Sequence, residues 1–167
     1  MKTNQTCCFT GHRRLPQEKL PDIVRQLEAI IENLIAQGVI YYGCGGAIGF
    51  DLLAGETVLK LKKKYLQIKL IMVLPCIEQD KQWRQSDKDR YRILLEACDK
   101  LVYVQREYDG GCMFKRNRHL VDCSGVCVAY LTHQQSGSGY IVGYAQSKKV
   151  PVIHVEVSPC PPFIKQP

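Results

Sequence analysis

The 167-residue chain predicts a three-layer α/β sandwich, a mostly parallel sheet with helices on both faces. Three observations lead there. Short apolar runs alternate with stretches of helical period along the chain, and this alternation is the pattern of parallel strands joined by crossover helices. The runs are apolar almost without interruption, as strands covered on both faces are. The connections that leave three of them are rich in glycine.

Residues 5–10 (QTCCFT) form the first apolar run, a buried strand ending at Gly11. Between Pro21 and Gln37, apolar side chains recur at Ile23, Val24, Leu27, Ile30, Ile31, Leu34 and Ile35, which is helical spacing. Pro21 suits a first turn and Gly38 suits a C-terminal cap. VIYYG (39–43) reads as the second strand, and a helix follows over 51–64. IKLIMVL (68–74) is the third strand, 86–98 a helix with Tyr91, Leu94, Leu95 and Cys98 on one face, and KLVYV (100–104) the fourth strand. The next segment, MFKRNRHLVDCS, has too weak an apolar pattern to assign. GVCVAYL (125–131) is the fifth strand, 139–147 a short helix, and VPVIHV (150–155) the last strand.

With 46% hydrophobic residues, a chain of this length buries one core. The expected organisation is therefore one domain over 1–157 and a proline-rich tail over 158–167. No run approaches the 18 or so apolar residues of a membrane span, so no membrane insertion is expected. The polar opening Met1–Thr6 does not resemble a signal peptide, and the expected location is the cytoplasm. Nine cysteines, an odd number at irregular spacings with no CxxC pair, read as reduced packing thiols. Cys44 and Cys112, next to glycines, are the candidates for a regulatory thiol. No metal-ligand spacing occurs, so no metal is expected. The formal charge of +7 favours an anionic partner. The cluster Lys60, Lys62, Lys63 and Lys64 is assigned to a solvated helix C-terminus, where cations complement the dipole.

In parallel sheets, ligands sit beyond the carboxyl ends of the strands, where strand order reverses, so the loops after strands carry the information. FTGHRR (9–14), GCGGAIGFD (43–51) and HQQSGSGY (133–140) are three such loops. Glycines admit a close backbone approach, and a following helix offers free N–H groups and a positive dipole end. Together they predict a phosphate-binding crevice. None matches the strict dinucleotide fingerprint or a P-loop. Asp51 is read either as a helix N-cap or as a contact to a ribose hydroxyl. Arg13, Arg14, Arg116 and Arg118 border the same edge, with Arg116 and Asn117 the stronger pair, because guanidinium forks match phosphate oxygens. His12 reads as a phosphate donor or a solvent-facing loop residue. Trp83 and Tyr91 read as core aromatics or as a stacking surface for a base.

These residues resemble the superfamily that unites the DNA-processing protein DprA (Smf) with the LOG nucleotide hydrolases. MFKRNRHLVDCSGVCVAYLTHQQSGSGYIVGYAQSKKVPVIHV (113–155) is similar in order and spacing to the DprA pattern, and GGAIGFDLLAGE (45–56) to its glycine loop. The FTGHR start, the GGAIGFD loop and the LPC…QW stretch look most like the YpsA-like group. The resemblance implies a Rossmann-like fold and a nucleotide, ADP-ribose or NAD-related ligand, with no cofactor required. It assigns ligand-binding roles to Gly11, His12, Arg13, Gly45, Gly46, Gly49, Asp51, Arg116, Asn117, Ser136, Gly137, Ser138 and Gly139. It also implies a homodimer.

LOG enzymes cleave N-glycosidic bonds with an arginine and a glutamate that follows a PGGxGT loop. Arg116 holds the arginine's place, but the loop here reads QSGSGYIVG, with Ile141, Val142 and Gly143 where the glutamates belong. Glu56 could replace them only if its helix faces the crevice; otherwise it is a surface glutamate. The reading is thus a protein that binds or senses a phosphate-bearing nucleotide ligand, with no catalytic residue assigned. Single-stranded DNA binding of the DprA type and nucleoside monophosphate hydrolysis of the LOG type are the alternatives.

Overall fold

A computed structural model describes residues 3–157, so the proline-rich tail expected over 158–167 lies outside the described residues. The chain order is β1 (Thr6–Gly11), α1 (Leu20–Ala36), β2 (Tyr41–Cys44), α2 (Phe50–Lys62), β3 (Lys69–Leu74), α3 (Gln85–Ala97), β4 (Lys100–Tyr103), α4 (Cys112–Asp122), β5 (Val126–Tyr130), α5 (Gly137–Ser147) and β6 (Val152–His154). The six strands form one sheet in the order β4-β3-β2-β1-β5-β6, and every pairing is parallel. The architecture is the Rossmann-like α/β sandwich the alternation predicts.

Strand side chains alternate between faces, and the two cores divide accordingly. Cys7, Phe9, Leu70, Met72, Leu74, Val128 and Tyr130 meet α1, α2 and α3, while Cys8, Ile71, Val73 and Cys127 meet α4 and α5. α1 shows how the sequence specifies a layer: Ile23, Leu27, Ile31 and Leu34 lie on one face and are all buried. Each contributes about 1.5–3 kcal/mol of transfer free energy. The helix stops where expected. Gly38 adopts φ 91°, with its N–H bonded to the Ile35 carbonyl and the Val39 N–H to that of Leu34, a Schellman closure.

α4 is the element the periodicity misses. Its inward positions are Cys112, Arg116, Leu120 and Val121, a helical spacing whose second member is a buried arginine, and the charge breaks the apolar count. Eight described cysteines are free thiols. Cys44 and Cys112 are fully buried, and burial pushes the Cys44 thiol up, which corrects their reading as regulatory thiols. Cys123, taken as a packing residue, is exposed. In the lysine cluster, Lys60 pairs with Glu28, Lys62 with Asp99 and Lys64 with Glu32. Among the described residues, no helix is long and apolar enough to cross a membrane.

Candidate functional site

Strand order reverses at the β1–β5 seam: from β1 the chain builds outward through β2, β3 and β4, then returns to place β5 on the other side. Loops leaving two such strands diverge and open a hollow between them. Here the hollow is a cleft of about 330 Å³. Nine of the thirteen predicted residues line it. Gly11, His12 and Arg13 come from the end of β1, Asp51 from α2, Arg116 and Asn117 from α4, and Ser136, Gly137 and Ser138 from the start of α5. Thr10, Ala47, Met113 and Phe114 complete the wall. Sequence reasoning missed these four. The position of Met113 and Phe114 beside the Arg116–Asn117 pair was the available signal, and it depended on recognising α4 as a helix.

The other four predicted residues shape the site from behind and do not line it. Gly45 has no room for a Cβ, which would fall 2.0 Å from an Arg116 guanidinium nitrogen. Its carbonyl accepts from Arg116 Nη1 and from Gln79 Nε2. Gly46 (φ 65°) is enclosed by Met72 and Tyr91. Gly49 (φ 87°) starts α2, with the Arg13 backbone 2.3 Å from where its Cβ would be. A Cβ on Gly139 would meet the Gln134 carbonyl at 1.9 Å. Crowding by neighbouring residues accounts for a glycine at each of these four positions.

Arg116 is 2% exposed and held on three sides. Nη1 donates to Gly45, Nε donates to Asn117 Oδ1 at 2.6 Å, and the Asp51 carboxylate lies 3.9 Å from Nη1. Nη2 has no acceptor among the described residues. Burial pushes the Asp51 carboxyl up, and the Arg116 charge pulls it back down. A guanidinium stays protonated in any protein environment, so this pair places a fixed cation at the wall of the cleft. Asp51 is not the N-cap of α2. Gly49 holds that position, and Asp51 sits inside the first turn with Oδ2 accepting from the Ala47 N–H at 3.4 Å.

The start of α5 faces the same space. Ser136 is the true N-cap, its hydroxyl accepting from the Gly139 N–H at 3.0 Å. The Tyr140 N–H goes to the Ser136 carbonyl. Among the described residues, the Gly137 and Ser138 N–H groups have no acceptor. They are orphan donors at the positive end of a helix. Ser138 Oγ donates to the Gly11 carbonyl at 2.7 Å and fixes this turn to β1.

His12 is partly buried, not a free loop residue. Its Nε2 accepts from the Thr132 N–H at 2.8 Å, and its ring stacks on His133 at 4.4 Å. Burial first, and His133 second, hold the His12 imidazole below its usual range. Arg13 and Arg14 are exposed. Arg118 leaves the cleft altogether and donates to the Tyr140 hydroxyl. Tyr91 is core, with Trp83 edge-on to it at 5.2 Å, so neither offers a face to the cleft. Glu56 faces α3 and pairs with Arg90 at 2.6 and 2.9 Å, which removes it from the crevice. Ile141 and Val142 point into the interior.

Comparison with known proteins places the chain in a family and shows its fold in solved structures. The model of the YspA SLOG family matches residues 8–154. A UPF0398 protein of Halalkalibacterium halodurans is 31% identical over 130 residues, 76% of this chain and 69% of that protein. The SPbeta prophage-derived protein YoqJ of Bacillus subtilis is 34% identical over 134 residues, covering 72% and 78%. The UPF0398 protein YpsA of Bacillus subtilis is 27% identical, covering 73% and 71%. Two solved structures share the fold. DNA processing protein A of Helicobacter pylori, described for its single-stranded DNA binding mode, superposes with a TM-score of 0.65 at 22% identity over 91% of this chain. DprA of Streptococcus pneumoniae superposes at 0.68 and 13% identity over 96%. The chain spans only 65% and 52% of those two proteins.

Proposed function

The chain belongs to the YspA SLOG family, and from that membership we propose that its cleft binds the phosphate of a nucleotide or nucleotide-derived ligand of the ADP-ribose type. One observation carries the reading: in a single cleft, the unpaired amides of Gly137 and Ser138 at a helix N-terminus converge with the buried guanidinium of Arg116. Backbone donors need no reorganisation, and a helix N-terminus with an adjacent arginine is an anion site. The volume is that of a small-molecule pocket.

Binding is favoured over turnover by the placement of the carboxylates. Asp51 is the carboxylate among the lining residues, and it is committed to the charge of Arg116 and the Ala47 amide. A residue so engaged orients Arg116; it is not free to activate water. Asn117 has the matching task on the other side of the guanidinium.

Gly137→Asp is the test. Nothing lies within 4 Å of where its Cβ would be, and a carboxylate in a first helical turn suits the dipole, so the variant folds. The same carboxylate occupies the anion's place. Thermal-shift titrations with AMP, ADP, ADP-ribose, NAD and short oligonucleotides are expected to stabilise the parent and not the variant. Equal stabilisation of both would overturn the site. Chromatography of the bound ligand after incubation distinguishes retention from release of base, and released base would reassign the cleft to hydrolysis.

A further inference from the structure

Two donors in the cleft stand unsatisfied besides the amides of the α5 turn. Thr10, near the end of β1, is 6% exposed, yet its hydroxyl has no hydrogen-bond partner among the described residues. Arg116 engages acceptors through Nη1 and Nε, and its Nη2 is likewise free. Among the described residues, Gln79 Oε1 is the side-chain polar atom that is both enclosed and unpartnered, so Thr10 Oγ1 and Arg116 Nη2 must each reach open space. Both residues line the cleft, and the cleft is that space. Packing does not explain a threonine so placed: valine has the same shape, suits a strand better and leaves no hydroxyl to satisfy. The alternation of strand side chains sets its position. Cys8, two residues before Thr10, belongs to the cluster of Leu120 on α4 and Ile141 on α5, so Thr10 rises on the same face between those helices. To one side are the free amides of the α5 turn, beyond β5; to the other is Arg116, fixed to the Gly45 carbonyl just past β2.

Resting on the reading of the cleft as a phosphate site, we propose that Thr10 and Arg116 form a second anion subsite across from the α5 turn, so that the cleft selects a diphosphate and holds one phosphate group at each end. Donors run from wall to wall. A lone phosphate seated on the α5 turn would cover Thr10 and Arg116 without giving them acceptors, and a donor buried unpaired weakens binding. Two linked phosphates reach both walls, with Thr10 beneath their junction. The charges agree with this. Arg13 and Arg116 line the cleft together with the positive end of α5, against Asp51 as the carboxylate among the lining residues. Asp51 lies on the Nη1 side of the guanidinium, 3.9 Å away, which leaves Nη2 to the ligand. Bonds from Nη2 and from the Thr10 hydroxyl to a phosphate oxygen are charge-assisted, the stronger kind.

Calorimetric titrations in buffer containing EDTA, with inorganic phosphate, pyrophosphate and tripolyphosphate and with AMP and ADP, test the subsite. Pyrophosphate is expected to bind about a hundredfold tighter than phosphate, and ADP about a hundredfold tighter than AMP, for two added charge-assisted hydrogen bonds. Tripolyphosphate is expected to gain less than about threefold over pyrophosphate, because both walls are then occupied. Affinity that climbs equally with every phosphate is general charge attraction and overturns the subsite. Thr10→Val is expected to lower the pyrophosphate-to-phosphate ratio about tenfold while the Tm of the free protein stays level or rises; Thr10→Ser keeps the donor and should keep the ratio. A Tm loss above about 4 °C in Thr10→Val, or a variant that does not fold, means that the hydroxyl serves the protein interior and overturns the assignment. Equal affinity of the parent for phosphate and pyrophosphate overturns the second subsite and leaves the cleft standing. If neither binds, the cleft and the subsite fall together.

Discussion

Replacing Arg116 with methionine separates the two tasks the structure gives this residue. Methionine fills similar volume without the charge, so the change removes a cation and little packing. The Gly45 carbonyl keeps a donor, because Gln79 Nε2 reaches it at 3.2 Å. The loss that matters is at Asp51, 6% exposed, which is left buried without its counter-charge. Breaking a buried pair in this way costs about 3–5 kcal/mol, and for a domain of this size that lowers Tm by roughly 10 °C. The deficit depends on pH. Asp51 already titrates above the usual Asp value, so the folded state holds its proton where the unfolded chain has lost it, and stability falls as pH rises through that window. Without Arg116 the carboxyl moves higher still, and the window extends upward. Urea melts are therefore expected to show the variant's deficit largest at neutral pH and shrinking as pH falls toward 4. Adding Asp51→Leu should recover about 2–3 kcal/mol relative to the sum of the single changes. A deficit below about 1 kcal/mol, or one that does not change with pH, would show that the pair is not desolvated and would refute the argument.

Two further outcomes follow from the same structure. Gly49→Ala puts a side chain at φ 87° and 2.3 Å from the Arg13 backbone, and should cost about 2–3 kcal/mol; Gly143→Ala, in open space inside α5, should gain about 0.5–1. Urea denaturation of the two, side by side, checks the contrast. For His12, whose lowered value favours the neutral ring in the folded state, the stability contribution is complete above about pH 6.5 and is lost as pH falls toward the folded value. His12→Gln keeps an acceptor for the Thr132 N–H and should flatten that part of the pH–stability curve; equal slopes in parent and variant would count against the Nε2 bond.

The parts of the fold that depend on repeated apolar side chains were legible. α1 declares itself through four inward residues and two terminal signals, and β3 through an unbroken apolar run buried on both faces. α4 was hidden for the reason that makes it useful. A helix that must present Arg116 to a cleft gives up an apolar inward position, and the period then no longer stands out. Much the same holds for the glycines. The sequence marks where the backbone must pass closely, but whether a ligand or a neighbouring residue is the near object depends on long-range placement. Gly11 and Gly137 line the cleft, while Gly45, Gly46 and Gly49 accommodate Arg116, Tyr91 and Arg13. Of the two readings of Asp51, the N-cap fails because Gly49 takes that position, and its partner Arg116 comes from a helix the spacing could not reveal.

The β1–β5 seam also governs the order of events in folding. Cys7 pairs with Val126, so the cleft exists only once residues about 120 positions apart have met. The four strands from β1 to β4 can add one after another through neighbouring crossovers, but β5 must cross the opposite face to find β1. Closing so long a loop carries the largest entropic cost of any pairing in the sheet. Ligand contacts form after that closure, not before it. A bound nucleotide is thus expected to act on the lifetime of the native state, slowing its unfolding, while leaving the rate of folding as it was.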